Sequence, residues 1–452
     1  TLDSYDSITA ARAAYDKLSD NAKTLVENYE TLTAAEEALA KAEADVISNA
    51  IKAIDAIGKV TADSKDKIEN AKDAYSAVPE RLRDKVTNSD TLDKATERFA
   101  VIDTIKQAGT KSKDHFDTVL GTLADNNIYP VQSIGGEWSV IALARAGKLS
   151  ADKAAKYYSE LCEAVKANGS DRLSDRKPTE NARVIIALSS LGKNSADIAG
   201  HNLLSGLDDM DYITSQGINA VIFSLIAFDT TDYSAKTHDE LIAYIVDNMT
   251  GKGWALAGDT ADVDLTAMAI QALAPYAADE KVNAAIDSGL EFLAESLDEN
   301  ARYANGSEST SQVLIALAAL GIDPLTDSRF IVDGITLIDA LESYATENGY
   351  SHTLGGEENY MATEQAALAL TAYELSKDGS SLYEMSAKAE PTEPEKPDMP
   401  AQPGDSVKPG DCSGKPEDKN DPINPGTGVL VTGGMAVLIS GAVMLISKKK
   451  RK

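Results

Sequence analysis

An apolar helix carrying an Ala-Leu or Ser-Leu pair recurs along residues 106–387, at Ala142-Leu143, Ala187-Leu188, Ser224-Leu225, Ala272-Leu273, Ala316-Leu317 and Ala369-Leu370. The intervals run from 37 to 53 residues, the length of one helical hairpin with a variable loop. These helices are apolar on nearly every side, Ser311-Gln312-Val313-Leu314-Ile315-Ala316-Leu317-Ala318-Ala319-Leu320 most clearly, and so read as inner helices. The segments between them carry charge on one face, as in His238-Asp239-Glu240-Leu241-Ile242-Ala243-Tyr244-Ile245-Val246, and read as outer helices. Small inner residues let such helices pack tightly about an axis. The pattern therefore predicts an all-α fold whose main part, 106–387, either stacks as an open solenoid or closes into a ring, and the small inner residues favour closure into an (α/α)6 toroid.

A second, shorter repeat precedes it. Residues 1–40 align with 61–100 without a gap, with identities at Asp3/Asp63, Ile8/Ile68, Ala11/Ala71, Tyr15/Tyr75, Val26/Val86, Asn28/Asn88 and Leu32/Leu92. Ile8, Ala11 and Tyr15 and their partners fall at helical spacing and mark a buried face. Breaks follow at Leu18-Ser19-Asp20 and Val78-Pro79, and a further helix is expected from near Thr33 toward Val60. Residues 1–105 thus read as two three-helix modules. The first lacks its leading helix, so Thr1 is expected to be a cut end.

The C-terminal part has a different composition. Pro391, Pro394, Pro397, Pro400, Pro403, Pro409 and Pro416 give 388–423 the spacing of an extended, polyproline-like, disordered stalk. Val429–Ser447 is a weakly polar or apolar run of 19 residues ending in Lys448-Lys449-Lys450-Arg451-Lys452. As a helix it would rise about 28 Å, enough to span a bilayer, with the cations held on the cytoplasmic side. Before it stands Asn424-Pro425-Gly426-Thr427-Gly428. Pentapeptide, apolar span and basic tail over 424–452 resemble the cell-wall sorting signals cleaved by sortases, with Asn424 in the place of the familiar Leu. The resemblance implies cleavage between Thr427 and Gly428. It also implies sortase and peptidoglycan as partners, a transmembrane helix only before sorting, and display on a Gram-positive-type cell surface. The net charge of −29 fits an exposed surface protein and excludes a nucleic-acid partner, whose phosphates it would repel. The chain has two cysteines; Cys162 is expected as a buried thiol and Cys412 as a solvated one.

Val263-Asp264-Leu265-Thr266-Ala267-Met268-Ala269, Glu308-Ser309-Thr310-Ser311-Gln312-Val313 and Met361-Ala362-Thr363-Glu364-Gln365-Ala366 resemble repeats of the prenyltransferase and squalene-cyclase toroid superfamily. Within it the likeness is to secreted bacterial toroid domains and to the α-domain of intrinsic factor and transcobalamin. The second likeness implies cobalamin or another corrinoid as ligand, although the lid domain of those carriers is replaced here by the stalk. The cyclase likeness implies Asp264 as a catalytic acid. Asp262-Val263-Asp264-Leu265-Thr266-Ala267 follows the cyclase pattern Asp-x-Asp-Asp-Thr-Ala but has Leu265 where the pattern has its last Asp. No counterpart of the prenyltransferase zinc ligands is found, and no metal is expected.

In a toroid the inner-helix N-termini open at one end. Thr179, Asp264, Ser309 and Thr363 are candidate caps, with Glu137, Glu180, Glu308 and Glu364 beside them. The preceding loops add Trp254, Tyr303, Tyr350, His352 and Tyr360. Acids and aromatics around a concave mouth are the usual form of a ligand site. The expected ligand-facing set is Trp254, Asp264, Tyr303, Glu308, Gln312, Tyr350, His352, Tyr360, Glu364 and Gln365, for a corrinoid, another small molecule, a glycan or a host protein. A purely structural spacer or an adhesin is the competing expectation.

Overall fold

The computed structural model describes residues 1–126, 128–133 and 135–385. The stalk, the sorting pentapeptide, the apolar span and Cys412 lie outside the described residues. Those described form helices joined by turns and isolated backbone bridges, with no β-strand among them. Among them, too, no helix is long and apolar enough to cross a membrane. The chain divides into one compact unit of Thr1–Gln107 with Asp333–Ile335 and a larger one of Ala108–Val332 with the residues from Thr336 onward.

In the first unit, α1 (Tyr5–Asp16), α2 (Asp20–Lys23), α3 (Tyr29–Asp55), α4 (Lys65–Ser76) and α5 (Ser89–Gly109) follow the two-copy pattern. The 3-10 turn Glu80–Lys85 stands in the second copy where α2 stands in the first. Ile54, Ile57, Ile68, Ala71, Val78, Leu82 and Leu92 make the core. The repeated positions differ in burial: Ile68 and Ala71 are buried, whereas Ile8 is half-buried and Ala11 exposed. Asp333 is tied into this unit by Lys59 at 2.7 Å and Arg98 at 3.1 Å.

The larger unit alternates two kinds of helix. One kind is α7 (Glu137–Arg145), α9 (Pro178–Ser190), α12 (Ile218–Asp229), α14 (Val263–Leu273), α16 (Ser307–Ala319) and α18 (Tyr360–Ser376). The other is α6 (Ser112–Asp125), α8 (Ala151–Asn168), α10 (Leu203–Leu207) with α11 (Met210–Thr214), α13 (His238–Asp247), α15 (Glu280–Glu295) and α17 (Leu337–Glu342). The first kind is sequestered on all sides: every residue from Asp264 to Leu273, from Ser307 to Ala318 and from Ala362 to Ala372 is buried. The longer helices of the second kind bury a stripe, as in α13, where Leu241 and Ile245 alone are buried, whereas the short α17 is buried throughout. That difference follows largely from composition: the first kind is mostly apolar, and the acids it buries, Asp264, Glu308 and Glu364 among them, are hydrogen-bonded, as burial of such groups requires.

The buried helices pack in a cyclic order. Helix α7 contacts α9, α9 contacts α12, and so on through α14, α16 and α18, which returns to α7. Cys162 on α8 is buried as expected but is disulfide-bonded, so it is not a free thiol.

Candidate functional site

The first turns of the buried helices carry most of the polar side chains expected at a mouth, but not as caps. The caps are Asp262, whose carboxylate accepts from Leu265 N at 3.0 Å, and Asn359, which accepts from Ala362 N at 3.0 Å. Lys177 and Gly306 precede α9 and α16 without a side-chain cap. Thr179, Asp264, Ser309 and Thr363 therefore sit inside their helices, because each helix starts earlier than the polar run suggested. That frees their side chains to bond to neighbouring helices.

Those bonds form a belt. The Thr179 hydroxyl of α9 donates to Gln216, ahead of α12, at 3.0 Å. Arg183 of α9 donates to Glu137 of α7 at 2.9 Å. Ser139 of α7 donates to Glu364 of α18 at 3.3 Å. Gln312 of α16 donates to Gln365 of α18, and Ser309 of α16 to Asp264 of α14. Gln271 of α14 donates in turn to the Gln312 carbonyl at 3.0 Å and side-chain oxygen at 2.9 Å. Most of the paired residues lie within the first two turns of their helices, with Gln271 a turn further on, so adjacent buried helices run parallel and share one N-terminal end.

Of the expected set, Asp264, Glu308, Gln312, Glu364 and Gln365 meet in or beside this belt, all buried. His352 joins them by bonding Glu308 at 2.8 Å through Nδ1, with its side chain 38% exposed. Tyr360 is 41% exposed and its hydroxyl reaches Asn126 at 3.0 Å and Ser139 at 3.2 Å.

The other three aromatics are corrected from ligand-facing to core. Trp254 is 0% exposed and spends its indole N–H on the Ile245 carbonyl at 2.7 Å. Tyr350 is equally enclosed; its hydroxyl donates to Glu342 at 2.6 Å and lies 3.2 Å from His115. Tyr303 is buried, and that burial pushes its hydroxyl far above the ordinary tyrosine range. The loops fold inward at these positions because large rings repay burial more than any other loop residue.

The electrostatics single out one acid. Burial pushes the Glu364 carboxyl up to about 8, against partial relief from Arg183, the Ser139 hydroxyl and the Gly135 N–H. At neutral pH it is chiefly a protonated acid able to donate a hydrogen bond. Glu137, fully buried, instead has the direct Arg183 partner.

Two residues at this end escaped the sequence reasoning. Trp138 is buried on α7 with its indole N–H unpartnered, its ring 5.5 Å from that of Phe223 on α12. Asn219, one turn before Phe223, is buried with its side-chain oxygen unpartnered. Both occupy the second position of their helices, as Thr179, Asp264 and Glu308 do. Aligning the helices on their first residues would have found them.

Among the described residues, no group of three or more His, Cys, Asp or Glu side chains is placed to hold a metal ion. The chain matches no family model, no curated protein and no solved structure.

Proposed function

We propose that the larger unit is an α/α toroid acting as a ligand-binding module, displayed on a Gram-positive-type cell surface by the sorting signal at Asn424–Gly428. Cyclic packing of six uniformly buried helices supports the toroid. The binding reading is carried by a single observation: Trp138 N–H and the Asn219 oxygen are buried without partners at the N-terminal end of these helices. An unmet donor or acceptor costs about 1–3 kcal/mol, and a ligand offering the complementary groups recovers it. Protonated Glu364, exposed Tyr360 and His352 extend the same end with donors and an aromatic face. A corrinoid such as cobalamin, a glycan and a host protein each offer amide or hydroxyl groups of this kind.

The test is thermal unfolding of the full chain against corrinoids, glycans and isoprenoid lipids. A ligand of the folded state raises the midpoint by mass action. One class is expected to do so, with a shift that shrinks in Trp138→Phe, which keeps an aromatic side chain but loses the indole N–H together with the five-membered ring. No shift with any class would end the ligand-binding reading in favour of a spacer.

A second reading, a cyclase-like enzyme, is favoured by one feature. A carboxyl that keeps its proton near neutrality is what general-acid chemistry requires, and that carboxyl is Glu364, whereas the sequence pointed to Asp264. Turnover of an isoprenoid that vanishes in Glu364→Gln and survives in Asp264→Asn would establish it.

A further inference from the structure

The opposite end of the same helices forms a half-open cavity of about 440 Å³, the size of a small-metabolite site. Its walls come from the C-terminal ends of α12, α14 and α16 and from the segment after α18. Asp229, Gln271, Tyr276, Ala319, Tyr383 and Glu384 line it.

Two of these side chains present acceptors with nothing to accept from. Asp229 Oδ1 takes the Tyr276 hydroxyl at 2.6 Å and lies 3.0 Å from His238 Nε2, while Oδ2 is buried without a partner. Gln271 is 3% exposed, and its Oε1 is likewise buried and unpartnered. Its orientation is fixed: the amide nitrogen must face the Gln312 backbone carbonyl, an obligate acceptor, so the oxygen faces away from it. Two unmet acceptors on one cavity call for N–H or O–H donors.

The charges select among donors. Three helix C-termini turn their negative dipole ends toward this region. Arg145 holds the Ser381 carbonyl at 2.7 Å and balances Glu384, which leaves Asp229 as the cavity's other carboxyl; burial pushes it up, and the Tyr276 hydroxyl and His238 at Oδ1 draw it back down. The rings of Tyr276 and Tyr383 supply faces on which a cation can rest.

We infer that this cavity is a second ligand site, and that it takes a small primary ammonium compound whose N–H donors meet Asp229 Oδ2 and Gln271 Oε1. The ammonium group lies among the helix C-termini and the carbon skeleton against the tyrosine rings. The site lies toward the opposite ends of the helices from the mouth and shares with the belt only Gln271, whose amide nitrogen bonds Gln312 while its oxygen faces the cavity.

The experiment is calorimetric titration of the full chain with phenethylammonium and with its neutral isostere phenethyl alcohol. Asp229→Asn is the informative variant: Asn keeps the Oδ1 acceptor for Tyr276 and replaces only the unpartnered oxygen with a donor. The ammonium probe is expected to bind the native chain, and the alcohol and Asp229→Asn are each expected to weaken binding about tenfold or more. Ala319→Phe, which fills the cavity and touches no polar group, is expected to abolish binding of both probes. Glu364→Gln, at the other end, is expected to leave it unchanged. The inference is overturned if neither probe binds, which would mean that water alone meets the two acceptors. It is overturned equally if the probes bind alike, or if only the Glu364 variant loses binding.

Discussion

Glu364 ties burial to pH. Its carboxyl holds a proton up to about pH 8 in the folded chain, against an ordinary value of 4.5. Between these values the folded state binds more protons than the unfolded one, so stability is fully present below the lower value and is lost as pH rises through the upper one. Glu364→Gln removes this titration while keeping an oxygen to accept from Ser139 and Gly135. Urea midpoints of native chain and variant are expected to agree at about pH 4 and to diverge by about pH 8.5, the native chain being weaker by on the order of 4 kcal/mol. Parallel pH profiles would show that the carboxyl ionises at its ordinary value. Beside it, Arg183→Ala would strand Glu137, 0% exposed, as a buried anion. A loss of about 3–5 kcal/mol in urea unfolding is expected, and a loss below about 1 would show Glu137 to be hydrated.

At the scale of elements, a glycine-aromatic pair leads into two of the buried helices and is locked there by a threonine. Trp254 N donates to Thr266 Oγ1 at 3.0 Å, and Tyr350 N donates to Thr363 Oγ1 at 3.0 Å. The glycine before each ring lies against the same hydroxyl, where a Cβ would collide with it. The aromatic loop can thus reach the core only if the preceding residue has no side chain. Gly349→Ala is expected to cost about 1–3 kcal/mol through displacement of Thr363. Gly121→Ala, in the middle of α6 with open space around it, is expected to be neutral or to gain up to about 1 kcal/mol. Equal effects at the two sites would remove the close-approach explanation.

For the larger unit as a whole, the decisive element is α18, which packs on both α16 and α7 and so joins the last of the buried helices to the first. Ending the chain after Asn359 would uncover a face of each. The six buried helices share one hydrophobic core, so there is no smaller core to fall back on. Loss of the cooperative thermal transition of this unit, with dye binding to exposed apolar surface, is expected. A shortened chain that still melts cooperatively would show that the helices stack as an open array.

What the sequence determined by itself was helical class, periodicity and burial. A helix apolar on nearly every side must be enclosed, and α14, α16 and α18 are. It also placed Asp264, Glu308, Gln312, Glu364 and Gln365 at one end, because residues at the same helical position meet when parallel helices pack side by side. Tertiary structure decided which side chains stay accessible. Trp254 and Tyr350 read as loop aromatics at a mouth, yet an adjacent glycine lets each ring turn inward, and that depends on a threonine more than ten residues away. The unmet groups of Trp138, Asn219, Asp229 and Gln271 were likewise illegible. A missing hydrogen bond is a property of the surroundings, and no residue carries it in its name.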